Sequence, residues 1–520
     1  MTPVQILDST LRDGAQAEGI SFSVNDRLEL ARVLDGLGLH YIEAGNPASN
    51  PKDLTFFQQA AALKLNSARL CAFGSTRRKD SSAGGDKNCL ALLEAATPAV
   101  AIVGKSSALH VREILQTSEI ENLAMIEDSC RFFARAGREV IFDAEHFFDG
   151  YALDPAYAME TLRAAARGFA RALVLCDTNG GSLPWDVEEI TRKVCKEFPG
   201  LTIGIHAHDD GGMATACTCA AVRAGARHVQ GTLLGFGERV GNANLSAVIP
   251  NLQLKQGYAC IPPENLARLT QCALQIASVA NTSLRGNTPF VGARAFAHKG
   301  GMHADGVLKN PASFEHIDPA AVGNRRRLLV SEVAGRAAIL PRVQRLYPDI
   351  DADSPNLERV VAALKAKEFG GYSFEGADAS FDLLIRRCFG ALPAFFELIS
   401  YNVLDRLPYE TERSATATLK IRVDGQVKIA AAEGEGPVNA LDLALREALC
   451  GFYPALAQVR LLDYKVRIME SAAGTNSQVR VLITSGDGAR QWATVGVSHD
   501  IIEASWEALV DSIIYKLLEE

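Results

Sequence analysis

Eight short apolar runs recur through the first half of the chain, and this rhythm limits the fold more than any other feature. They are "VQILDST" (4–10), "HYIEAG" (40–45), "RLCAFGS" (69–75), "AVAIVGK" (99–105), "EVIFDAEHF" (139–147), "ALVLCDT" (172–178), "LTIGIHAH" (201–208) and "HVQGTLLG" (228–235). Between them lie patterns such as "SVNDRLELARVLDGLG" and "WDVEEITRKVCKEF", amphipathic at the helical period. Near-continuous apolar strands alternating with helices mean a parallel sheet covered by helices. Eight such units in this length fit a (β/α)8 barrel better than a doubly wound sheet. No G-x-G-x-x-G follows the first strand, which argues against dinucleotide binding.

In a barrel of this kind the active site forms at the C-terminal strand ends. Those ends read "LDSTLRDGAQ", "EAGNP", "GSTRR", "GKSS", "DAEHFFDG", "CDTNGG", "HAHDDGG" and "GFGERVGNAN". Side chains two apart on a strand face the same way, so His206 and His208 share a face. A polar rim or a metal site both account for such a pair. Asp, His, Glu and Arg supplied by several strands to one mouth favour a metal centre with chemistry around it.

At 520 residues the chain is too long for one core. A net charge of −8 leaves no basic footprint, so nucleic acid is not an expected partner. "MTPVQILDST" enters a strand pattern at once and no long apolar run follows, so neither a signal peptide nor a membrane span is expected. Eleven scattered cysteines without C-x-x-C read as reduced, mostly buried thiols of a cytoplasmic protein. Cys217 and Cys219 fall on a predicted helix, where their spacing points them apart, and are read as packing residues.

From about residue 391 the rhythm changes. "FFELISYNVL", "ATATLKIRV" and "QVKIAAAE" precede the helix "PVNALDLALREAL"; "VRLLDYKVRIME", "SQVRVLITS" and "QWATVGVSH" precede "IIEASWEALVDSIIYKLLE". This is a βββα unit occurring twice. The expected organisation is a (β/α)8 TIM barrel over 1–280, helical connecting subdomains over 281–390, and a duplicated α+β domain over 391–520.

Several stretches carry a resemblance. "LDSTLRDGAQ", "GIHAHDD" and "GTLLGFGERVGNANL" resemble the acetyl-CoA-condensing family that includes 2-isopropylmalate, homocitrate and citramalate synthases. "DGAQAEGISFSVNDRLELARVLDGLGLHYIEAGNPASNPKD", "FGSTRRK", "VIFDAEHFFDGY", "LCDTNGG" and "FVGARAFAHKGGMHADGVLKNPASFEHIDPAAVGN" are similar to the citramalate branch. The resemblance spans essentially the whole chain. It implies metal-dependent condensation of acetyl-CoA with a 2-oxo acid. In the citramalate branch the acceptor is pyruvate, the products are (R)-citramalate and CoA, and the reaction opens a threonine-independent route to isoleucine. Ser9 stands where the family has Thr, and Asn46 stands where the branch has a large aromatic. Asn46 is therefore expected to bear on the choice of 2-oxo acid. A 2-isopropylmalate synthase-like acceptor range is the alternative, and an amino-acid-sensing partner protein is the non-enzymatic one.

The resemblance places Asp13, His206 and His208 as metal ligands, a mixed oxygen and nitrogen set suited to Mn²⁺, Zn²⁺ or Mg²⁺. Asn242 is a further ligand or support, or else a helix N-cap before "ANLSAVIPNL". Arg12, adjacent to Asp13, carries a permanent charge suited to an enolate or alkoxide, or pairs with a barrel carboxylate. Glu145 matches the family's active-site glutamate, and neighbouring His146 reads as packing or support. The Thr178 hydroxyl either binds the substrate carboxylate or serves a turn. Arg77, Arg78, Lys79 and Lys105 lie where CoA phosphates could dock, although a solvated basic loop accounts for most of them. In the resembled family the segment holding "HKGGMHADG" reaches the partner subunit's site; His303, with Asp305, is the expected proton-transfer group and His298 a structural one. A homodimer is implied, with the C-terminal repeat binding an end-product amino acid, isoleucine or leucine. The turns "GEGPVNA" and "AAGTNSQ" are candidates to close over it.

Overall fold

The computed structural model describes residues 1–299, 301–329, 336–405, 415–469 and 476–518. Two compact units divide the chain. One comprises Met1–Phe296 with His316–Arg326, the other Ala297–Glu315 with Arg327–Glu520.

The first unit is a closed eight-stranded barrel. Its strands are β1 (Gln5–Asp8), β2 (Tyr41–Glu43), β3 (Arg69–Ser75), β4 (Ala99–Lys105), β5 (Glu139–Glu145), β6 (Ala172–Asp177), β7 (Thr202–Ala207) and β8 (His228–Gly231). Each pairs in parallel with the next, and Gln5–Asp8 of β1 against His228–Gly231 of β8 closes the ring. Although the runs are apolar throughout, their side chains divide by parity. On β6, Ala172, Val174 and Cys176 enter the inner cluster, while Leu173 and Leu175 pack outward against the helices. On β5, Ile141 lies in the inner cluster and Val140, Phe142 and Ala144 in the outer one. Small inner residues such as Ala99, Ala101 and Cys71 let the interior fill without a channel.

The helices form by ordinary local rules. Val24–Leu37 starts at a capping box between Ser23 and Asp26, buries Leu30, Leu34 and Leu37, and stops at Gly38 with φ 91°. A Cβ at Gly38 would lie 2.5 Å from Pro262 Cδ, so glycine is needed there for space as well as for φ. Ala214–Ala224 is helical, with Cys217 buried and Cys219 half-buried; all eleven cysteines are free thiols.

The second unit holds two antiparallel three-stranded sheets, β9 (Glu397–Asp405), β10 (Ala415–Val423) and β11 (Gln426–Gly434), then β12 (Arg460–Ile468), β13 (Val479–Gly486) and β14 (Gln491–Ser498). Helices Pro437–Leu449 and Ile501–Leu517 complete the two βββα repeats and share one core with the sheets. The register shifts once in each repeat, between Leu398 and Ser400 and between Leu461 and Asp463. Helices Arg336–Leu346, Pro355–Phe369 and Asp378–Cys388 form a further core with Val495 and Val497 of β14. Residues 472–475 of the glycine-rich turn "AAGTNSQ" lie outside the described residues. Among the described residues no helix is long and apolar enough to cross a membrane.

Candidate active site

The inner parity of the strands delivers the site. Beyond Gly204, inner positions on β7 continue to His206 and, one residue past the strand, to His208; beyond Ile141, those on β5 continue to Asp143 and Glu145. Asp13, His206 and His208 are all buried and present ligand atoms within 4.8 Å of one another. His206 Nε2 lies 3.6 Å from Asp13 Oδ2.

Each member is held. The loop after β1 is fixed through Asp8, whose carboxylate accepts hydrogen bonds from Thr10 N, Thr10 Oγ1 and Leu233 N at 2.9, 2.9 and 3.1 Å. Burial pushes the Asp8 carboxyl up to about 6. Asp13 is the opposite case. Burial raises its pKa, but Arg12, His206, His208 and a hydrogen bond from Asn242 outweigh that and hold it below the usual carboxylate value. Burial, then His206, pushes His208 down to about 4, so its imidazole is neutral near pH 7. Two anchored imidazoles and an ionised carboxylate form a donor set for a divalent cation. His208 Nδ1 and Asn242 Oδ1 are buried with no hydrogen-bond partner among the described residues, which also fits a role in holding a divalent cation.

Arg12 sits beside this cluster. Its Nε and Nη2 both donate to Glu43, at 2.9 and 2.7 Å to Oε2, and Nη1 lies 3.1 Å from Asp13 Oδ2. The guanidinium carbon stacks 3.8 Å from the Phe73 ring centroid. Arg12 thus pairs with a barrel carboxylate and faces the site at once. A cavity of about 240 Å³ opens over these groups, lined among others by Arg12, Asp13, Phe73, Val103, Glu145 and Thr178. Glu145 forms an ion pair with Lys105. Thr178 Oγ1 accepts a 2.8 Å hydrogen bond from His146 N, leaving its O–H to donate. His146 takes a left-handed φ of 57° and stacks on His110 at 3.7 Å, which makes it support for the Glu145 strand end.

Other expected residues fall elsewhere. Asn46 does not line the cavity: its Oδ1 accepts from Ala48 N at 3.1 Å and its N donates to Asp53 Oδ2 at 2.8 Å, a turn after β2. The helix at Leu245–Pro250 is capped by Asn244 rather than Asn242. Arg77 is buried against Glu121 and Asp128, and Lys79 donates to Gln116 O, so neither is a loose basic group. His303 and Asp305 belong to the second unit, where exposed His303 stacks on Phe314 at 4.2 Å and Asp305 pairs with Lys309 at 2.6 Å. His298 Nε2 is 3.1 Å from Glu315 in the same unit.

Sequence reasoning missed Glu43, Phe73, Asp143 and Gln230. Counting inner parity along the strands finds all four: Glu43 two beyond Tyr41, Phe73 two beyond Cys71, Asp143 two beyond Ile141 and Gln230 two beyond His228. Asp143 is buried, and burial followed by the Glu43 charge pushes its carboxyl up to about 7.

Residues 3–276 match the HMGL-like family, 290–369 the homocitrate synthase post-HMGL domain-like family, and 375–517 the LeuA allosteric (dimerisation) domain. The (R)-citramalate synthase of Aquifex aeolicus is 50% identical over 99% of this chain and 98% of its own length. The chain belongs to the citramalate synthase family. The (R)-citramalate synthases of Synechocystis and Geobacter sulfurreducens are 49% and 46% identical, each over 99% of this chain and covered over 96% and 98% of their own lengths. A solved hydroxymethylglutaryl-CoA lyase from Pseudomonas aeruginosa overlaps 56% of the chain and 96% of its own length, at 21% identity and TM-score 0.47. The barrel, the post-barrel helices and the duplicated domain described above are thus the three parts of a citramalate synthase family member.

Proposed function

We propose that the chain condenses acetyl-CoA with pyruvate and water to give (R)-citramalate, CoA and a proton. The observation that carries this reading is the buried Asp13–His206–His208 cluster facing Arg12 in a small cavity at the mouth of a citramalate synthase family barrel. Asp13, His206 and His208 would hold a divalent ion, Mn²⁺, Zn²⁺ or Mg²⁺, with Asn242 beside them. Such an ion supplies Lewis acidity at the keto oxygen of the 2-oxo acid.

The remaining work falls to this chain's own side chains. Glu145, at the cavity edge, is suited to take a proton from the acetyl methyl group, and Lys105 holds that carboxylate in place. Arg12 stays charged and stabilises negative oxygen as the carbon–carbon bond forms. The Thr178 hydroxyl is free to donate to the acceptor's carboxylate. Phe73, Val103 and Cys176 offer an apolar wall to a methyl group, and the cavity's about 240 Å³ suits a short 2-oxo acid. Hydrolysis of the resulting thioester releases CoA and makes the sequence one-way. A second cavity of about 450 Å³ shares Arg239 with the first and contains Arg285, giving the CoA moiety room and positive charge.

Two chains would assemble as a homodimer, each lending His303, with Asp305 beside it, to its partner's barrel for proton transfer. The duplicated C-terminal domain would take isoleucine as a feedback inhibitor. A panel of pyruvate, 2-oxobutyrate and 2-oxoisovalerate, each with acetyl-CoA and free-thiol detection, tests the acceptor. Pyruvate is expected to show the highest kcat/KM, and a clear preference for 2-oxoisovalerate refutes the assignment.

A further inference from the structure

Gln230 lies on β8 directly across from His206 on β7, fully buried inside the barrel. His206 Nδ1 and Gln230 Oε1 are 2.8 Å apart, and Gln230 Nε2 is 2.8 Å from Asp143 Oδ1. A carboxamide has distinct ends. With its Nε2–H donated to Asp143 Oδ1, its oxygen faces His206 and can only accept. His206 must then carry its proton on Nδ1, which leaves a bare lone pair on Nε2, the atom that points at Asp13.

We infer that Gln230 is a positioning residue that fixes the His206 tautomer for metal binding, with Asp143 orienting the amide. The inference rests on the reading of Asp13, His206 and His208 as metal ligands. A neutral imidazole in water distributes its proton between both nitrogens, and only the Nδ1–H form offers Nε2 to an ion. Here a buried amide, itself held by a buried carboxylate, selects that form before any ion arrives. Asp143 and Gln230 come from strands on different sides of the barrel, so the whole relay depends on the closed ring.

The test compares Gln230→Met, which keeps the volume and loses the acceptor, with Gln230→Glu, which keeps an acceptor toward His206. Calorimetric titration of the metal-free full-length protein with Mn²⁺ or Zn²⁺ is expected to show binding weakened ~10–100-fold in Gln230→Met. Gln230→Glu keeps the acceptor toward His206 and, with one proton shared between the new carboxyl and Asp143, whose own proton burial already holds, keeps the second contact. It is therefore expected to bind about as tightly as the parent. A packing role alone would lower binding in both variants alike, and that result overturns the inference, as does unchanged affinity in Gln230→Met. In parallel, ¹⁵N shifts of the histidine rings in metal-free protein report the tautomer without any metal. His206 is expected as Nδ1–H in the parent and shifted toward Nε2–H in Gln230→Met. A parent protein with the proton on Nε2 refutes the inference on its own terms. Unchanged binding in His208→Ala refutes the ligand reading instead.

Discussion

Arg12 and Glu43 form a two-nitrogen pair, Nε and Nη2 both reaching Oε2, while Nη1 of the same guanidinium lies 3.1 Å from Asp13. One planar group therefore links the strand-two carboxylate to the proposed metal ligand and still faces the cavity. Lysine cannot reproduce this fork. Arg12→Lys is expected to lower kcat about 10²–10³-fold, the range for losing a donor to a developing oxyanion. Steady-state kinetics with the KM for pyruvate measured separately checks it. A change confined to KM would mean that Arg12 binds the ground state only.

Phe73 stacks on Arg12 and forms an apolar wall of the cavity. Phe73→Ala enlarges that wall, so longer 2-oxo acids should gain relative to pyruvate. A methylene in an apolar pocket is worth about 1–3 kcal/mol, so the kcat/KM ratio of 2-oxobutyrate to pyruvate should rise about 10-fold or more. Asn46→Ala should leave the same ratio nearly unchanged, because Asn46 is occupied by a turn outside the cavity. The opposite pattern would put acceptor choice at the strand-two loop.

If His303 acts in the neighbouring barrel, inactive subunits should complement. Mixing His303→Ala with Arg12→Ala chains under conditions of proven subunit exchange is expected to restore turnover, since one hybrid site carries neither lesion. No recovery would place His303 in its own barrel or outside the chemistry.

His228 is buried in the barrel interior with neither ring nitrogen hydrogen-bonded among the described residues. Burial, then the His40 charge, pushes it down to about 3. The unfolded chain, with an ordinary histidine pKa near 6.5, binds the proton that the folded chain refuses. This contribution to stability is therefore lost as pH falls below about 6.5, at up to ~1.4 kcal/mol per pH unit from this group. His228→Leu should flatten the acid limb, seen as a smaller drop in urea midpoint between pH 7 and pH 5. An unchanged limb would assign it to other groups.

Periodicity alone located the barrel. β3 and β4 span the expected runs, 69–75 and 99–105, each built around an apolar centre, Leu70–Phe73 and Ala99–Val103, that ends in a glycine and a polar residue. β8 stops at Gly231, before the end of its apolar run, because Leu233–Gly235 turns into a short helix with Leu234 at φ 66°. Hydrophobicity does not reveal that bend. The candidate site was legible where a lining residue stands at a strand end, as His206, His208, Glu145 and Thr178 do. It was illegible where the partner is distant in sequence: 31 residues separate Arg12 from Glu43 and 87 separate Gln230 from Asp143. Asn46 illustrates the reverse. Its position after a strand suggested the mouth, but a side chain that can close a local turn does so when its own backbone offers the donor.

The reaction proposed for this barrel turns on carbon–carbon bond formation between an acetyl thioester and pyruvate. The most direct measurement supplies acetyl-CoA carrying ¹³C at both acetyl carbons, with pyruvate and Mn²⁺, and reads free thiol together with product mass. (R)-Citramalate bearing both labelled carbons is expected, with one thiol released per product, and with loss of both signals on chelation and recovery on metal repletion. Thiol release without pyruvate, or label recovered only as acetate, would contradict it.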